Sequence, residues 1–202
     1  MTGHVILGGI EALVLAAGAG SRFGGGKLLA PWRGGVLLDG ALAAALAAPV
    51  RRVTVVWGAD NRVAAAASAY AARAGAGDRL ALVQAERHSE GLSASLRAGV
   101  ESLAADCAGV FVFLGDMPRI PTAVLAPLAG ALAQGALAAA PTFAGRRGHP
   151  VLFSATLFGE LIALGGDKGA AGVLDQLGEQ LALVAAPDAG VLFDVDRPTD
   201  LG

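Results

Sequence analysis

The chain has 202 residues, 54% hydrophobic, 16% charged and 5% aromatic, which is too apolar for disorder and long enough for one buried core. Lys and Arg (15) nearly balance Asp and Glu (17), and the net charge of −2 supplies no broad basic surface for nucleic acid, so any polyanion must be held locally. A single cysteine, Cys107, excludes an intrachain disulfide and a thiolate metal cage, and reads as a small buried hydrophobe.

Short runs of Val, Leu and Phe alternate with longer Ala/Leu segments, the pattern of buried parallel strands joined by crossover helices in an α/β chain. The first strand is predicted over residues 11–15 and runs directly into a glycine-rich stretch, 16–27. A helix over 38–48 closed by Pro49, a strand over Arg52–Trp57 and a helix over 60–73 complete two βα units. A strand at Leu80–Gln84 precedes a polar segment and a helix over 93–103, whose Leu96, Val100 and Leu103 share one face. The most apolar strand, Gly109–Leu114, is expected to be central. Pro121 suits the first turn of a helix to about residue 133, and 136–140 reads as a strand. A basic turn at 145–148, a strand at 150–153, a helix to 164 capped by Ser154, a helix over 169–177 and strands at Leu181–Ala185 and 191–193 complete the expectation.

Mean hydropathy is +0.60, and residues 120–145 carry no charge. That span contains three prolines and is rich in alanine, unlike the Leu-rich content of a spanning helix, so no membrane association is expected. The first ten residues lack the basic region and cleavage site of a signal peptide, which points to a cytoplasmic location.

The loop Gly18-Ala-Gly-Ser-Arg-Phe-Gly-Gly-Gly-Lys27 places glycine backbones where N–H groups can approach oxygen atoms, and adds the cations Arg22 and Lys27. A Walker A loop fails, because Ser21 stands where its first glycine belongs and Leu28 follows the lysine. A dinucleotide fingerprint lacks its third glycine at Phe23, although a looser version using Gly24 stays open, and with it an NAD(P)-binding oxidoreductase. Glycines alone suit a strand-to-helix turn with solvated cations. Two cations at this spacing directly after an apolar strand point further, to a nucleoside triphosphate.

The stretch Leu15-Ala-Ala-Gly-Ala-Gly-Ser-Arg-Phe-Gly-Gly-Gly-Lys27 resembles the signature of the MobA-like nucleotidyltransferases, which attach a nucleotide to the molybdenum cofactor. The resemblance continues through Lys27-Leu-Leu-Ala-Pro-Trp32, Gly91-Leu-Ser-Ala-Ser-Leu96, Leu114-Gly-Asp-Met-Pro118, Gly145-Arg-Arg-Gly-His-Pro150, Gly166-Asp167 and Asp194-Val-Asp196, in the family's order. Ala16-Ala17 before Gly18, with the Gly-Leu-Ser-x-Ser-Leu and Gly-His-Pro motifs, is similar to the molybdenum cofactor cytidylyltransferase branch. Where that branch usually has an arginine after Gly169-Ala170, this chain has Ala171.

The resemblance implies a Rossmann-like three-layer α/β sandwich with a mostly parallel central sheet, of the nucleotide-diphospho-sugar transferase type. It would span residues 11–202 as one domain behind an extension over 1–10. It implies transfer of CMP from CTP, with Mg²⁺, to the phosphate of molybdopterin or the molybdenum cofactor, with a client molybdoenzyme as a further partner. GTP or ATP as donor, another phosphorylated acceptor, and a non-catalytic cofactor chaperone remain alternatives. Nucleotide binding falls to Leu15, Ala16, Ala17, Gly18, Gly20, Ser21, Arg22, Lys27, Gly91 and Ser95, with Arg22, Lys27 and Asp116 catalytic. Asp116, at the carboxyl end of a strand, suits Mg²⁺, and Asp194 or Asp196 would supply a second carboxylate. The acceptor's phosphate falls to Arg146, Arg147 and His149, with Asp167 also on the acceptor side.

Overall fold

Strand β1 (Ile10–Ala16) is buried along its whole length, as a strand in the middle of a two-sided sheet must be. The structure is a computed structural model that describes residues 9–18, 23–166 and 169–201. After β1 come the short strands β2 (Pro31–Trp32) and β3 (Gly35–Val36), helix α1 (Leu37–Ala47), β4 (Arg52–Trp57), α2 (Asn61–Arg73), β5 (Leu80–Gln84) and α3 (Leu92–Glu101). The second half holds β6 (Gly109–Leu114), α4 (Leu125–Ala133), β7 (Ala138–Phe143), β8 (Arg146–Arg147), β9 (Val151–Ser154), α5 (Phe158–Ala163), α6 (Ala171–Gln176) and β10 (Leu181–Ala185).

The main sheet runs in the order β10-β7-β9-β6-β1-β4-β5, with β8 paired to β7 outside that path. β1 is parallel to both β4 and β6, β4 to β5, and β7 to β10; β9 alone of this path lies antiparallel, between β6 and β7. Alternation of side chains divides the core between the two faces. Ala12, Val14 and Ala16 of β1, with Phe111 and Phe113 of β6, pack against Leu38 and Leu42 of α1 and Leu125 and Leu128 of α4. Leu13 and Leu15, with Val110 and Val112, face Leu96 and Val100 of α3, Leu161 of α5 and Leu174 of α6. The expected three-layer sandwich around a mostly parallel sheet is therefore present. Among the described residues no helix is long and apolar enough to cross a membrane.

Several local features differ from the sequence expectation. Strand β1 begins at Ile10, within the segment read as an extension, because the Ile10 carbonyl accepts from Arg51 N–H at 3.0 Å. The β2–β3 hairpin was not expected: two-residue strands show no periodicity, and the turn rests on positive φ at Arg33 (44°) and Gly34 (83°), as a primed hairpin turn requires. The predicted strand at 191–193 is instead a tight 3₁₀ turn, Ala189–Leu192. There the Asp188 carboxylate accepts from Gly190 N–H at 2.7 Å, curling the chain while Val191 stays fully buried. The basic turn at 145–148 is drawn into the sheet as β8, paired with Thr142 and Phe143.

Parallel strands end together. Leu15 is in register with Leu114, Ala16 with Trp57, and Gly115 N–H donates to the Leu15 carbonyl at 2.9 Å. The segments that follow β1, β4 and β6 thus emerge side by side at the carboxyl edge, where open α/β sheets place their ligands.

Candidate active site

Gly24, Gly25 and Gly26 have φ of 89°, 94° and 64°, a left-handed run that other residues rarely adopt. Gly26 opens a 3₁₀ turn, Lys27–Leu29, and this turn roots Lys27 while Leu28 is buried. The Lys27 side chain is 12% exposed. Its Nζ donates to Asp116 Oδ2 at 2.6 Å and lies 3.6 Å from Asp196 Oδ1.

Asp116 stands on the turn after β6. Its backbone carbonyl accepts from Val195 N–H at 3.1 Å, and Val195 is buried against Trp32 and Leu37. This anchor draws the segment with Asp194 and Asp196 alongside Asp116. Asp200 fixes it from below, accepting from Arg197 N–H at 2.8 Å and Asp196 N–H at 3.0 Å, and these two bonds hold its carboxyl below the usual carboxylate range. Asp196 thus lies on the Lys27 side, whereas the charge of Asp194 bears on His149.

A cavity of about 360 Å³ brings together Leu15, Ala16, Ala17 and Gly18 from the end of β1, Gly91 and Ser95 at the start of α3, and Asp116. Gly91, with φ 107°, precedes α3, and the side chains of Ser93 and Ser95 are buried. Neither serine therefore occupies the capping position. A second cavity of about 210 Å³ shares Leu15, Leu92 and Leu114 with the first and is lined by Arg147, His149 and Ala171. Burial pushes the His149 imidazole below its ordinary pKa, against the Val112 backbone and the charges of Asp116 and Asp194, and its Nδ1 is buried without a hydrogen bond. Gly148 is required beside it: a Cβ there would collide with the Val191 carbonyl, which accepts from His149 N–H at 2.9 Å.

The two arginines of β8 part company, as adjacent strand residues do. Arg147 reaches the second cavity and pairs with Asp175. Arg146 lines a separate groove with Arg33 and Arg119, where Arg119 stacks 4.0 Å from the Phe193 ring centroid. Gly20, Ser21, Arg22 and Asp167 lie outside the described residues. His88 is an addition that sequence motifs did not flag. It lines the first cavity and a third of about 220 Å³ that also holds Lys27, Ala17 and Gly58. Ala85 N–H donates to the Trp57 carbonyl at 2.8 Å and ties the His88 loop to the end of β4, a contact that no spacing in the sequence encodes.

A family model for the MobA-like NTP transferase domain matches residues 12–181. The chain belongs to this family. Membership makes it a nucleotidyltransferase-type protein built for a nucleoside triphosphate. It is 32% identical to the purine catabolism protein PucB of Bacillus subtilis, over 92% of this chain and 91% of that protein. It is 25% identical to the molybdenum cofactor cytidylyltransferase of Escherichia coli, over 95% of this chain and 93% of that enzyme. The crystal structure of Rv0371c from Mycobacterium tuberculosis superposes with a TM-score of 0.77 at 29% identity, covering 96% of both chains. A manganese complex of Rv0371c aligns with a TM-score of 0.67 at 27% identity, over 89% of this chain and 88% of that one.

Proposed function

We propose that the protein transfers CMP from CTP to the phosphate of molybdopterin or the molybdenum cofactor and releases pyrophosphate, with Mg²⁺. The observation that carries this reading is the placement of the Lys27–Asp116 pair, at 2.6 Å, beside a cavity that adjoins a second one lined by Arg147 and His149. One cavity suits the donor nucleotide and the other a phosphorylated acceptor.

The donor set fits Mg²⁺. Asp116 and Asp196 already share one cation, the Lys27 ammonium, and among the described residues no group of three or more His, Cys, Asp or Glu converges to cage a metal. Mg²⁺ characteristically uses one or two carboxylates and completes its shell with water and substrate phosphates, so Asp116 and Asp196 would hold it. When bound, the ion neutralises charge on phosphate oxygens. The acceptor's phosphate oxygen attacks the α-phosphorus of CTP, the bond from that phosphorus to the bridging oxygen breaks, and pyrophosphate leaves. Lys27, released from the carboxylates to the triphosphate, and the backbone of residues 24–26 counter the charge on the departing oxygens. Arg147 orients the acceptor. A phosphate monoester is largely ionised near neutral pH, so the attack needs no general base.

A second reading, another phosphorylated acceptor, gains support from Ala171, which removes a cation from the second cavity relative to the cytidylyltransferase branch, and from the similarity to PucB. Pyrophosphate release with CTP, GTP or ATP, with and without molybdopterin and Mg²⁺, separates the readings. Release that needs CTP, molybdopterin and Mg²⁺ together is expected, and release unaffected by molybdopterin would refute the acceptor.

A further inference from the structure

We infer that His88 reads the base of the nucleotide, accepting a hydrogen bond through Nε2 from an exocyclic amino group and so favouring amino-bearing bases over carbonyl-bearing ones. The inference rests on the nucleotide reading of the first cavity and deepens it. His88 Nδ1 lies 3.0 Å from the Ala85 carbonyl oxygen. A carbonyl only accepts, so Nδ1 must carry the hydrogen, and in the neutral ring Nε2 is then an acceptor without a proton. The ring is also wedged in place. A Cβ on Gly58 would stand 3.1 Å from two of its carbon atoms and 2.7 Å from the Ala17 carbonyl oxygen, so only glycine there leaves room for it.

Among the described residues that line the cavity, the polar side chains are His88, Ser95 and Asp116. Asp116 is engaged by Lys27 and, in the reading above, would hold Mg²⁺ once Lys27 turns to the triphosphate. The Ser95 hydroxyl both donates and accepts, so it cannot tell an amine from a carbonyl. His88, with its polarity set by Ala85, is the side chain in this set able to discriminate. Cytosine and uracil differ at the relevant position by an amine against a carbonyl oxygen, which makes CTP and UTP the cleanest pair of probes.

Calorimetric titration of the full chain with CTP and with UTP, in Mg²⁺ and at one fixed pH for both, tests this directly. The unaltered protein is expected to prefer CTP. His88→Leu is expected to weaken CTP about 3- to 10-fold, the worth of one neutral hydrogen bond, and to leave UTP unchanged. His88→Lys, which presents only donors, is expected to move the CTP:UTP ratio further toward UTP, and taking the ratio cancels its added charge on the triphosphate. A CTP:UTP ratio unchanged in both variants, with CTP still bound, overturns the role of His88 alone. Failure of the unaltered protein to bind any triphosphate overturns the nucleotide reading and the base contact with it.

Discussion

Replacing Gly40 by alanine separates the helix-forming tendency of a residue from the space its position allows. Alanine is favoured over glycine inside a helix by about 0.5–1 kcal/mol. In α1, however, a Cβ on Gly40 would stand 2.5 Å from the Pro118 carbonyl oxygen and 2.6 Å from Pro118 Cα, both backbone atoms that cannot rotate away. Overpacking of this kind costs about 1–3 kcal/mol. Gly130, in α4, meets nothing within 4 Å of the same added atom. The propensity gain is common to both sites, so the difference between the two variants isolates the collision, about 1–3 kcal/mol. Urea unfolding should find Gly130→Ala stabilised by about 0.5–1 kcal/mol and Gly40→Ala ranging from nearly unchanged to about 2.5 kcal/mol less stable. Gly99 of α3 is an intermediate case, because its nearest neighbours are the tips of Leu13 and Val56, which can yield. Pro118 stands two residues after Asp116, so Gly40→Ala should also lower CTP-dependent turnover while Gly130→Ala does not. Equal stabilisation of both variants would refute the close packing of α1 against the Asp116 turn.

Lys27→Ala should reduce turnover about a hundredfold or more, comparable to loss of one preorganised donor, and wild-type turnover would remove Lys27 from the site. Asp116→Asn should keep the fold, read by circular dichroism, and abolish the response to Mg²⁺; an unchanged Mg²⁺ titration would count decisively against this carboxylate. Cys107 is buried, and burial pushes its thiol up from the ordinary range, so less thiolate is present at any given pH than on an exposed cysteine. A thiol reagent at about pH 8 should therefore label it only as denaturant unfolds the chain, and fast labelling of the native protein would contradict its burial.

Periodicity and composition were enough to predict the α/β class and the strands Arg52–Trp57, Leu80–Gln84, Gly109–Leu114 and Leu181–Ala185, all of which match the structure in their bounds. Gly109–Leu114 and the buried stretch of Arg52–Trp57 succeed because a strand buried on both faces is an unbroken apolar run, whereas the edge strands Leu80–Gln84 and Leu181–Ala185, with Leu82 and Leu183 exposed, succeed because their short apolar runs are bounded by polar and turn residues. The glycine loop and the order of the motifs likewise pointed to the family, which the match over residues 12–181 shows.

What the sequence could not determine depends on contacts between distant segments. Val191 is apolar and fully buried, which reads as strand, yet the Asp188 side chain turns the chain there. Arg146 and Arg147 are neighbours in one basic motif, and pairing of β8 with β7 sends them to different cavities. Asp194 and Asp196 are equivalent as residue types. The bond from Val195 N–H to the Asp116 carbonyl, with Val195 buried, and the Asp200 carboxylate on Asp196 N–H set Asp196 3.6 Å from the Lys27 ammonium, a distinction that residue type does not carry. Local preference and hydrophobic pattern set the elements because each acts over a few residues. The partner of each side chain was decided by sheet register and by close packing at Gly58 and Gly148, and these exist only once the chain has folded.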